Sequence, residues 1–276
     1  LVMGRKFSQS RLFDWIRDHK ATIAAGNPTI INMMINRPVD IRSADIPHLR
    51  YLTSSSAPLM VPEWQRFEAM YGIRIVQGMG MSEIGWICGA DEATRRFGTV
   101  GRPLPYLQLR IVDAEGNPLP PGETGSIELG HDPNNAYKYL GDDGGVLVVA
   151  RGRMRTGDIG TLDADGYLRI TGREKDLIIR GGVNIAPAEI DTILLEMPGI
   201  AEAATVGVPD PIYGEEVVAF VAPQPGAALT EAAVIAFCAG RLPAARCPKR
   251  IYFRDALPKT DRGKMDRNAL RQAVPL

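Results

Sequence analysis

The stretch Ile73-Arg74-Ile75-Val76-Gln77-Gly78-Met79-Gly80-Met81-Ser82-Glu83 decides how the chain is read. Ile73 to Gln77 is a short apolar run of strand character, and the Gly78-Met79-Gly80 step reads as a tight turn directly after it. Upstream, Pro62 to Tyr71 has helical spacing with a proline near its first position, and Leu49 to Thr53 is a strand candidate running into Ser54-Ser55-Ser56. Ser10 to Lys20 carries Leu12, Trp15 and Ile16 at helical intervals. Helix and strand thus alternate, the rhythm of a parallel α/β sheet, whose ligands lie at the carboxyl ends of the strands.

From about Thr99 the texture changes. Leu107 to Val112, Gly125 to Leu129, Val146 to Val149 and Tyr167 to Ile170 are short strand candidates divided by turns such as Glu115-Gly116-Asn117-Pro118 and Asp163-Ala164-Asp165-Gly166. A small antiparallel sheet or barrel is expected. Another boundary falls near Gly172 to Gly182, and an α+β pattern follows. Pro187 opens a helix whose first turns hold Glu189 and Asp191, suiting the helix dipole, and Ile190, Ile193, Leu194 and Met197 form its apolar face. Strands at Ala203 to Val208 and Val217 to Val221 precede a helix from about Thr230 to Leu242.

Composition narrows the function classes. The 276 residues carry 32 Lys plus Arg against 32 Asp plus Glu, so the broad cationic field that nucleic acid or anionic lipid selects is missing. The longest apolar stretch, Ala232 to Ala239, is far shorter than the roughly 20 residues that span a bilayer. Cys88, Cys238 and Cys247 are too few and scattered for a disulfide framework or a zinc site, which points to a reducing, cytoplasmic compartment.

Four segments could carry chemistry. In Gln77 to Glu83 the glycines let backbone approach a flat or anionic ligand, Ser82 offers a hydroxyl to phosphate, and Glu83 a hard carboxylate to Mg²⁺; a plain turn with a solvated Glu83 is the alternative. In Arg155-Thr156-Gly157-Asp158 the carboxylate can accept from both hydroxyls of a ribose, or it can close an Asx-type turn. Gly172-Arg173-Glu174-Lys175-Asp176 leads into Arg180-Gly181-Gly182-Val183-Asn184, either a connector that swivels or a hairpin with solvated charges. In Leu257-Pro258-Lys259-Thr260-Asp261-Arg262-Gly263-Lys264, Pro and Gly bracket a loop that either projects Lys264 toward an anion or is merely solvated.

In this order and at these separations, the four segments resemble the adenylate-forming superfamily of acyl-CoA synthetases, nonribosomal-peptide adenylation domains and luciferases. Ser54-Ser55-Ser56-Ala57-Pro58-Leu59, Gly98-Thr99-Val100-Gly101-Arg102-Pro103 and the continuation Ile185-Ala186-Pro187-Ala188-Glu189-Ile190 strengthen it. The resemblance implies a partial large AMP-binding domain over residues 1–173, with a parallel sheet layer and a small distorted β-barrel, and a small mobile α+β domain over 174–276. It implies activation of a carboxylic acid by Mg·ATP, then transfer of the acyl group to coenzyme A. Ala57, Gln77 and Gly78 would line the adenine and acyl pocket. Ser82 would touch phosphate, Glu83 hold Mg²⁺, and Asp158 with Arg173 fix the ribose. Lys264 would bridge the carboxylate and the α-phosphate, Lys175 act as hinge, and Gly181 and Gly182 admit the pantetheine of CoA.

The hinge run Ile178 to Ile185 is most similar to acyl-CoA synthetases. A carrier-protein-dependent adenylation domain and a noncatalytic nucleotide- or CoA-binding module are the competing readings. Ile179 stands where luciferases usually have Lys. The family's Gly/Ser/Thr-rich phosphate loop is absent, so a fragment or a truncation is expected, with an exposed sheet edge that favours self-association. Met79 replaces an aromatic expected beside adenine, Ser82 replaces Thr, and Met154 replaces Tyr. Met33, Met34, Met79 and Trp86 could shape an acyl pocket or belong to the core, while Gly78, Ser55 and Ser56 leave room for an aryl or medium-chain acid.

Overall fold

The computed structural model describes residues 2–3, 7–130, 136–140, 145–260 and 264–274, with backbone alone at 136–140 and 146–151. The chain divides into two compact units: Leu1–Thr156 with Gly160–Ile170, and Gly157–Ile159 with Thr171–Leu276.

The first unit opens with α1 (Gln9–Asp18), β1 (Ile23–Gly26), α2 (Pro28–Asn36), β2 (Tyr51–Ser54), α3 (Val61–Tyr71) and β3 (Ile75–Gln77). The three strands form a parallel sheet in the order β1-β2-β3, with Leu52 paired to Ile75 and Ser54 to Gln77. Local signals fix the helix ends. The Asn27 side chain accepts from the Ile30 N–H at 2.9 Å and Pro28 occupies the first turn of α2, while α3 stops at Gly72 with φ +66°. Ile31, Met34, Leu52, Trp64, Phe67, Tyr71 and Ile75 fill the core. The Tyr71 hydroxyl donates to the Met34 carbonyl at 2.9 Å, so the ring buries its apolar body with its polar end satisfied. Met34 is therefore a core residue, whereas Met33 is exposed.

Beyond β3 come β4 (Met79–Met81), β5 (Gly85–Gly89), β6 (Arg102–Pro103), β7 (Gln108–Val112), β8 (Thr124–Gly130), β9 (Ala136–Leu140), β10 (Val146–Arg151), β11 (Arg153–Leu162) and β12 (Leu168–Arg173). They form a three-stranded sheet β4-β5-β6, a two-stranded β9-β10 ribbon and a four-stranded sheet β12-β11-β8-β7. These sheets are open among the described residues, so the expected barrel does not close. Met79, Ile87, Cys88, Val100, Ile111, Ile127, Leu129, Met154 and Leu168 make one core cluster. Met79, anticipated beside a base, is buried among these apolar side chains.

The second unit holds a 3₁₀ turn (Glu174–Asp176), β13 (Ile178–Arg180), β14 (Val183–Ile185), α4 (Pro187–Glu196), β15 (Ile200–Asp210), β16 (Gly214–Pro223), α5 (Glu231–Ala239), β17 (Arg250–Phe253) and α6 (Arg267–Gln272). Its sheet runs β14-β13-β16-β15, and β17 lies parallel to β16. The continuous apolar run of β16 serves two cores because side chains alternate faces. Val217, Ala219 and Val221 pack with Ile190, Leu194, Val234 and Cys238; Val218, Phe220 and Ala222 pack with Leu257 and Leu270. Asp191, in the first turns of this helix as expected, is 2 % exposed. It lies three residues before Leu194 and so shares the buried face of α4.

Among the described residues no helix is long and apolar enough to cross a membrane. Burial pushes the Cys88 thiol up to about 12 and the Cys238 thiol up to about 11, so neither is a ready nucleophile.

Candidate active site

In the first unit the candidate residues gather at the carboxyl ends of β2 and β3. The two ends are tied together: the Gly78 N–H donates to the Ser54 carbonyl at 3.1 Å. Gln77, buried, clamps the loop that follows β2. Its Oε1 accepts from the Leu59 N–H at 3.0 Å and its Nε2 donates to the Leu59 carbonyl at 3.3 Å. The Gln77 amide is thus committed to backbone, an arrangement that holds the Ser54–Leu59 loop. Within that loop Ser56 has φ +76°, a conformation that costs a non-glycine residue on the order of 1 kcal/mol or more and concentrates at binding sites. Ala57 beside it is half-buried. Ser54 Oγ is buried with no hydrogen-bond partner, which leaves an acceptor and donor for a polar ligand group.

The Gly78-Met79-Gly80 step is not a turn. It leads into β4, and the chain reverses at Ser82-Glu83-Ile84, so Ser82 and Glu83 sit at the tip of the β4–β5 hairpin. Both glycines answer to crowding. A Cβ on Gly80 would lie 2.8 Å from the Gly85 carbonyl oxygen, and one on Gly78 would lie 2.4 Å from Trp86 Cζ3. Trp86 itself is half exposed, so it is not core.

In the second unit Asp158 of β11 faces Arg173 of β12, with Arg173 Nε 2.9 Å from Asp158 Oδ1. The carboxylate is only 15 % exposed and the guanidinium 47 %. Burial raises the Asp158 pKa above the ordinary carboxylate value, opposed first by the charge of Arg173 and then by that of Lys264. Lys264 therefore acts electrostatically on the same carboxylate as Arg173.

Lys264 closes a hairpin. The Thr260 N–H donates to the Lys264 carbonyl at 2.8 Å and the Lys264 N–H to Thr260 Oγ1 at 3.2 Å; Asp261, Arg262 and Gly263 lie outside the described residues. Both legs are anchored. Lys259 pairs with Glu202, whose other oxygen accepts from the Leu257 N–H at 3.0 Å. Arg267, three residues past Lys264, reaches Asp191 Oδ2 at 2.6 Å and the Thr205 carbonyl at 2.6 Å, while Asp191 Oδ1 accepts from the Thr205 N–H at 2.7 Å. Sequence reading missed both anchors. The one available signal was an aspartate on the apolar side of α4.

Lys175 lies exposed in the 3₁₀ turn. Gly181 and Gly182, at φ +57° and +81°, form the tight turn between β13 and β14, the pair of positive φ angles that a two-residue hairpin of this hand needs. The Gly181 N–H donates to the Tyr213 carbonyl at 2.8 Å, and a Cβ on Gly182 would meet nothing within 4 Å. Arg180 beside them pairs with Glu216 at 2.6 Å and stacks over the Tyr213 ring at 4.1 Å.

The described residues contain no group of three or more His, Cys, Asp or Glu side chains able to hold a metal. A single carboxylate such as that of Glu83 would suit magnesium only where the ion arrives on a nucleotide, because Mg²⁺ keeps waters and phosphate oxygens and needs only one or two protein carboxylates.

Residues 1–140 match the AMP-binding enzyme family and residues 189–264 the AMP-binding enzyme C-terminal domain. The chain is 39 % identical over 271 residues to sulfoacetate–CoA ligase of Cupriavidus necator, spanning 97 % of this chain and 52 % of that protein. It is 39 % identical over 279 residues to indoleacetate–CoA ligase of Aromatoleum aromaticum, spanning 99 % and 54 %. Among solved structures, ATP-bound MatB from Rhodopseudomonas palustris matches with a TM-score of 0.85 at 33 % identity, over 97 % of this chain and 53 % of that one. The chain thus spans about half the length of the curated relatives it matches. With both of its segments matched, the chain belongs to the AMP-binding enzyme family.

Proposed function

We propose that the chain carries acid-activating and thiol-transferring residues of an ATP-dependent acid–CoA ligase. Carboxylate and ATP give acyl-AMP and pyrophosphate; acyl-AMP and CoA then give acyl-CoA and AMP. The observation that carries this reading is the buried Asp158 carboxylate, held by Arg173 and under the charge of Lys264. An acceptor-only group with one fixed cationic partner is what a ribose diol requires, and a hydroxyl donor lowers the cost of keeping that carboxylate ionised.

In this reading Ser82 donates to phosphate, and Glu83 accompanies the magnesium that neutralises the phosphate charge. Ala57 and Gly78 offer small surfaces to adenine, with Gln77 holding the loop that presents them. The Lys264 ammonium lies between the attacking carboxylate and the α-phosphate, two anions whose approach is otherwise repulsive, and stabilises the charge that develops there. For the second half-reaction, Lys175 is the hinge between residues 1–173 and 174–276, and the side-chain-free turn at Gly181-Gly182 leaves a path for a thin thiol arm. Relatives named as ligases of sulfoacetate, indoleacetate and oxalate support a carboxylic acid as substrate.

Calorimetry with AMP, run beside acid-dependent release of pyrophosphate and formation of acyl-CoA, tests the reading. AMP binding that Asp158→Asn weakens, together with turnover, is the expected result. AMP binding without turnover in any chain the gene encodes would instead establish a nucleotide-binding module. Preference for a phosphopantetheinylated carrier over free CoA would place the chain among carrier-dependent adenylation domains.

A further inference from the structure

The loop between α2 and β2 folds back on the end of α3, and the two leave between them a cavity of about 370 Å³ lined by Pro38, Val39, Asp40, Arg42, Met70 and Tyr71. That volume lies at the small end of the range for ligand sites. The loop runs into the start of β2 and α3 leads into the start of β3, so the cavity stands at the amino ends of these strands. Ser54 and Gln77 occupy the opposite ends, which makes the cavity distinct from the candidate active site. Local contacts hold its shape. The Tyr71 hydroxyl accepts from the Val39 N–H at 3.3 Å while donating to the Met34 carbonyl, and a Cβ on Gly72 would lie 2.7 Å from Ser43 Oγ, so loop and helix end touch. The polar end of Tyr71 is thus spent on backbone, and its carbon surface joins Val39 and Met70 as the apolar lining.

The charges of the lining give the cavity its character. The Val39 carbonyl accepts from the Ile41 N–H at 3.0 Å, which bends the chain at Asp40; Ile41 is buried, and Asp40 and Arg42 on either side of it are exposed at the cavity. Among the described residues the Asp40 carboxylate has no hydrogen-bond or ion-pair partner, and Arg42 spends one N–H on the adjoining Ile41 carbonyl at 2.9 Å. Carboxylate and guanidinium therefore line one cavity without closing on each other. The last turn of α3 holds no basic residue, so the negative end of its dipole adds to Asp40 in favouring a cationic group. A simple anion would meet Asp40 and a simple amine would meet Arg42, whereas a molecule bearing both charges finds a partner for each. We infer that this cavity binds an α-amino acid with an aliphatic side chain, its ammonium on Asp40, its carboxylate on Arg42 and its side chain on Val39, Met70 and Tyr71. The inference is independent of the ligase reading, since it concerns the other end of the sheet and assigns no part in the reaction.

Leucine, N-acetylleucine, leucinamide and glycine, titrated into the isotope-labelled full chain and followed by backbone amide NMR shifts, test it. Leucine is expected to bind with a Kd of about 1 mM, weak because both charges stand in water, and to move the amides of Val39 to Arg42 and Met70 to Gly72. N-acetylleucine, which lacks the ammonium, and leucinamide, which lacks the carboxylate, should each bind about three- to fivefold more weakly, the worth of one exposed charge pair. Glycine, without the apolar side chain, should lose about tenfold. Two variants then assign the contacts. Asp40→Asn should weaken leucine and leucinamide by about three- to fivefold and leave N-acetylleucine unchanged, while Arg42→Gln should weaken leucine and N-acetylleucine and spare leucinamide. Both side chains are exposed, so neither change disturbs the core. Leucine that moves no amide at about 10 mM, or moves only those from Ser54 to Glu83, overturns the inference. So does a variant that weakens all four ligands alike, or leaves all four unchanged, because the charges would then not be the contacts.

Discussion

Two hairpins, one in each unit, are built on opposite physical plans. The β4–β5 hairpin bearing Ser82 and Glu83 is placed by neutral contacts: the Gly78–Ser54 backbone bond, the Gln77 clamp on Leu59, and glycines that accept near-contact with backbone and Trp86. The Lys264 hairpin is placed by ion pairs, Lys259 with Glu202 and Arg267 with Asp191. Close packing defines shape, which suits recognition of flat and small groups. Fixed charge defines potential, which suits a step in which two anions must join. The difference therefore predicts different failures: damage to the second hairpin should act through charge, and damage to the first through fit.

The largest effect is expected at Asp191. The pair with Arg267 leaves the carboxylate 3 % and the guanidinium 15 % exposed. Removing one partner of a buried pair leaves an uncompensated charge and commonly costs about 3–5 kcal/mol. Asp191→Ala should accordingly lower the unfolding free energy, read from denaturant melts, by that much, and Asp191→Leu with Arg267→Met should recover most of it. An Asp191→Ala protein as stable as wild type would show that the stem of the Lys264 hairpin does not depend on this pair. Lys264→Ala is the complementary change. It should slow acid-dependent pyrophosphate release by about 10²–10³ while leaving the unfolding midpoint in place. A rate within about twofold of wild type would remove Lys264 from the chemistry.

What the sequence could and could not show follows the same division. Elements driven by local signals were legible: α3 with its proline start, β2 and β3 as short apolar runs, α4 behind Pro187, and β16 as an unbroken apolar strand. Strands made by pairing across glycine were not. Gly78-Met79-Gly80 reads as a turn because glycine is a turn residue, yet here it lies extended against a neighbouring strand. Site residues were legible by type and spacing, but their partners were not, since Gln77 reaches 18 residues back to Leu59, Lys259 57 residues to Glu202, and Arg267 76 residues to Asp191. The pairing of Asp191 with Arg267 went unread for that reason. Only the tertiary partner makes a buried aspartate tolerable, and no local pattern announces it.

Asp158 gives a titration that sharpens the contrast. Burial raises its pKa in the free protein, so at neutral pH the fold bears part of the cost of keeping it ionised. A raised carboxyl pKa means the native state binds the proton more tightly than the unfolded chain. Stability from this group is then greatest at low pH and declines as pH rises from the ordinary carboxylate value through the raised one. Ribose hydroxyls favour the ionised form, so AMP affinity should run the other way, weakening as pH falls through that raised pKa. Calorimetric titration with AMP across this range should show that loss, and Asp158→Asn should flatten it while weakening AMP by about 1.5–3 kcal/mol. A pH-independent affinity in the wild type would detach Asp158 from the nucleotide.

The smallest effect is expected in the neutral hairpin's support, and it tests whether shape alone governs that region. Gln77→Leu removes both bonds to Leu59 at similar side-chain volume, leaving a backbone donor and acceptor unpaired at a cost of about 1–3 kcal/mol. If Gln77 is a strut, that loss appears in stability, and AMP affinity falls by no more than about threefold as the Ser54–Leu59 loop loosens. Ribose 5-phosphate, which lacks the base, then loses as little as AMP does. If instead the Gln77 amide reaches adenine directly, AMP weakens by about tenfold or more and ribose 5-phosphate is unaffected. Both oxygen and nitrogen of that amide are already committed to Leu59, so the first outcome follows from the geometry; the second would require the clamp to open whenever nucleotide binds.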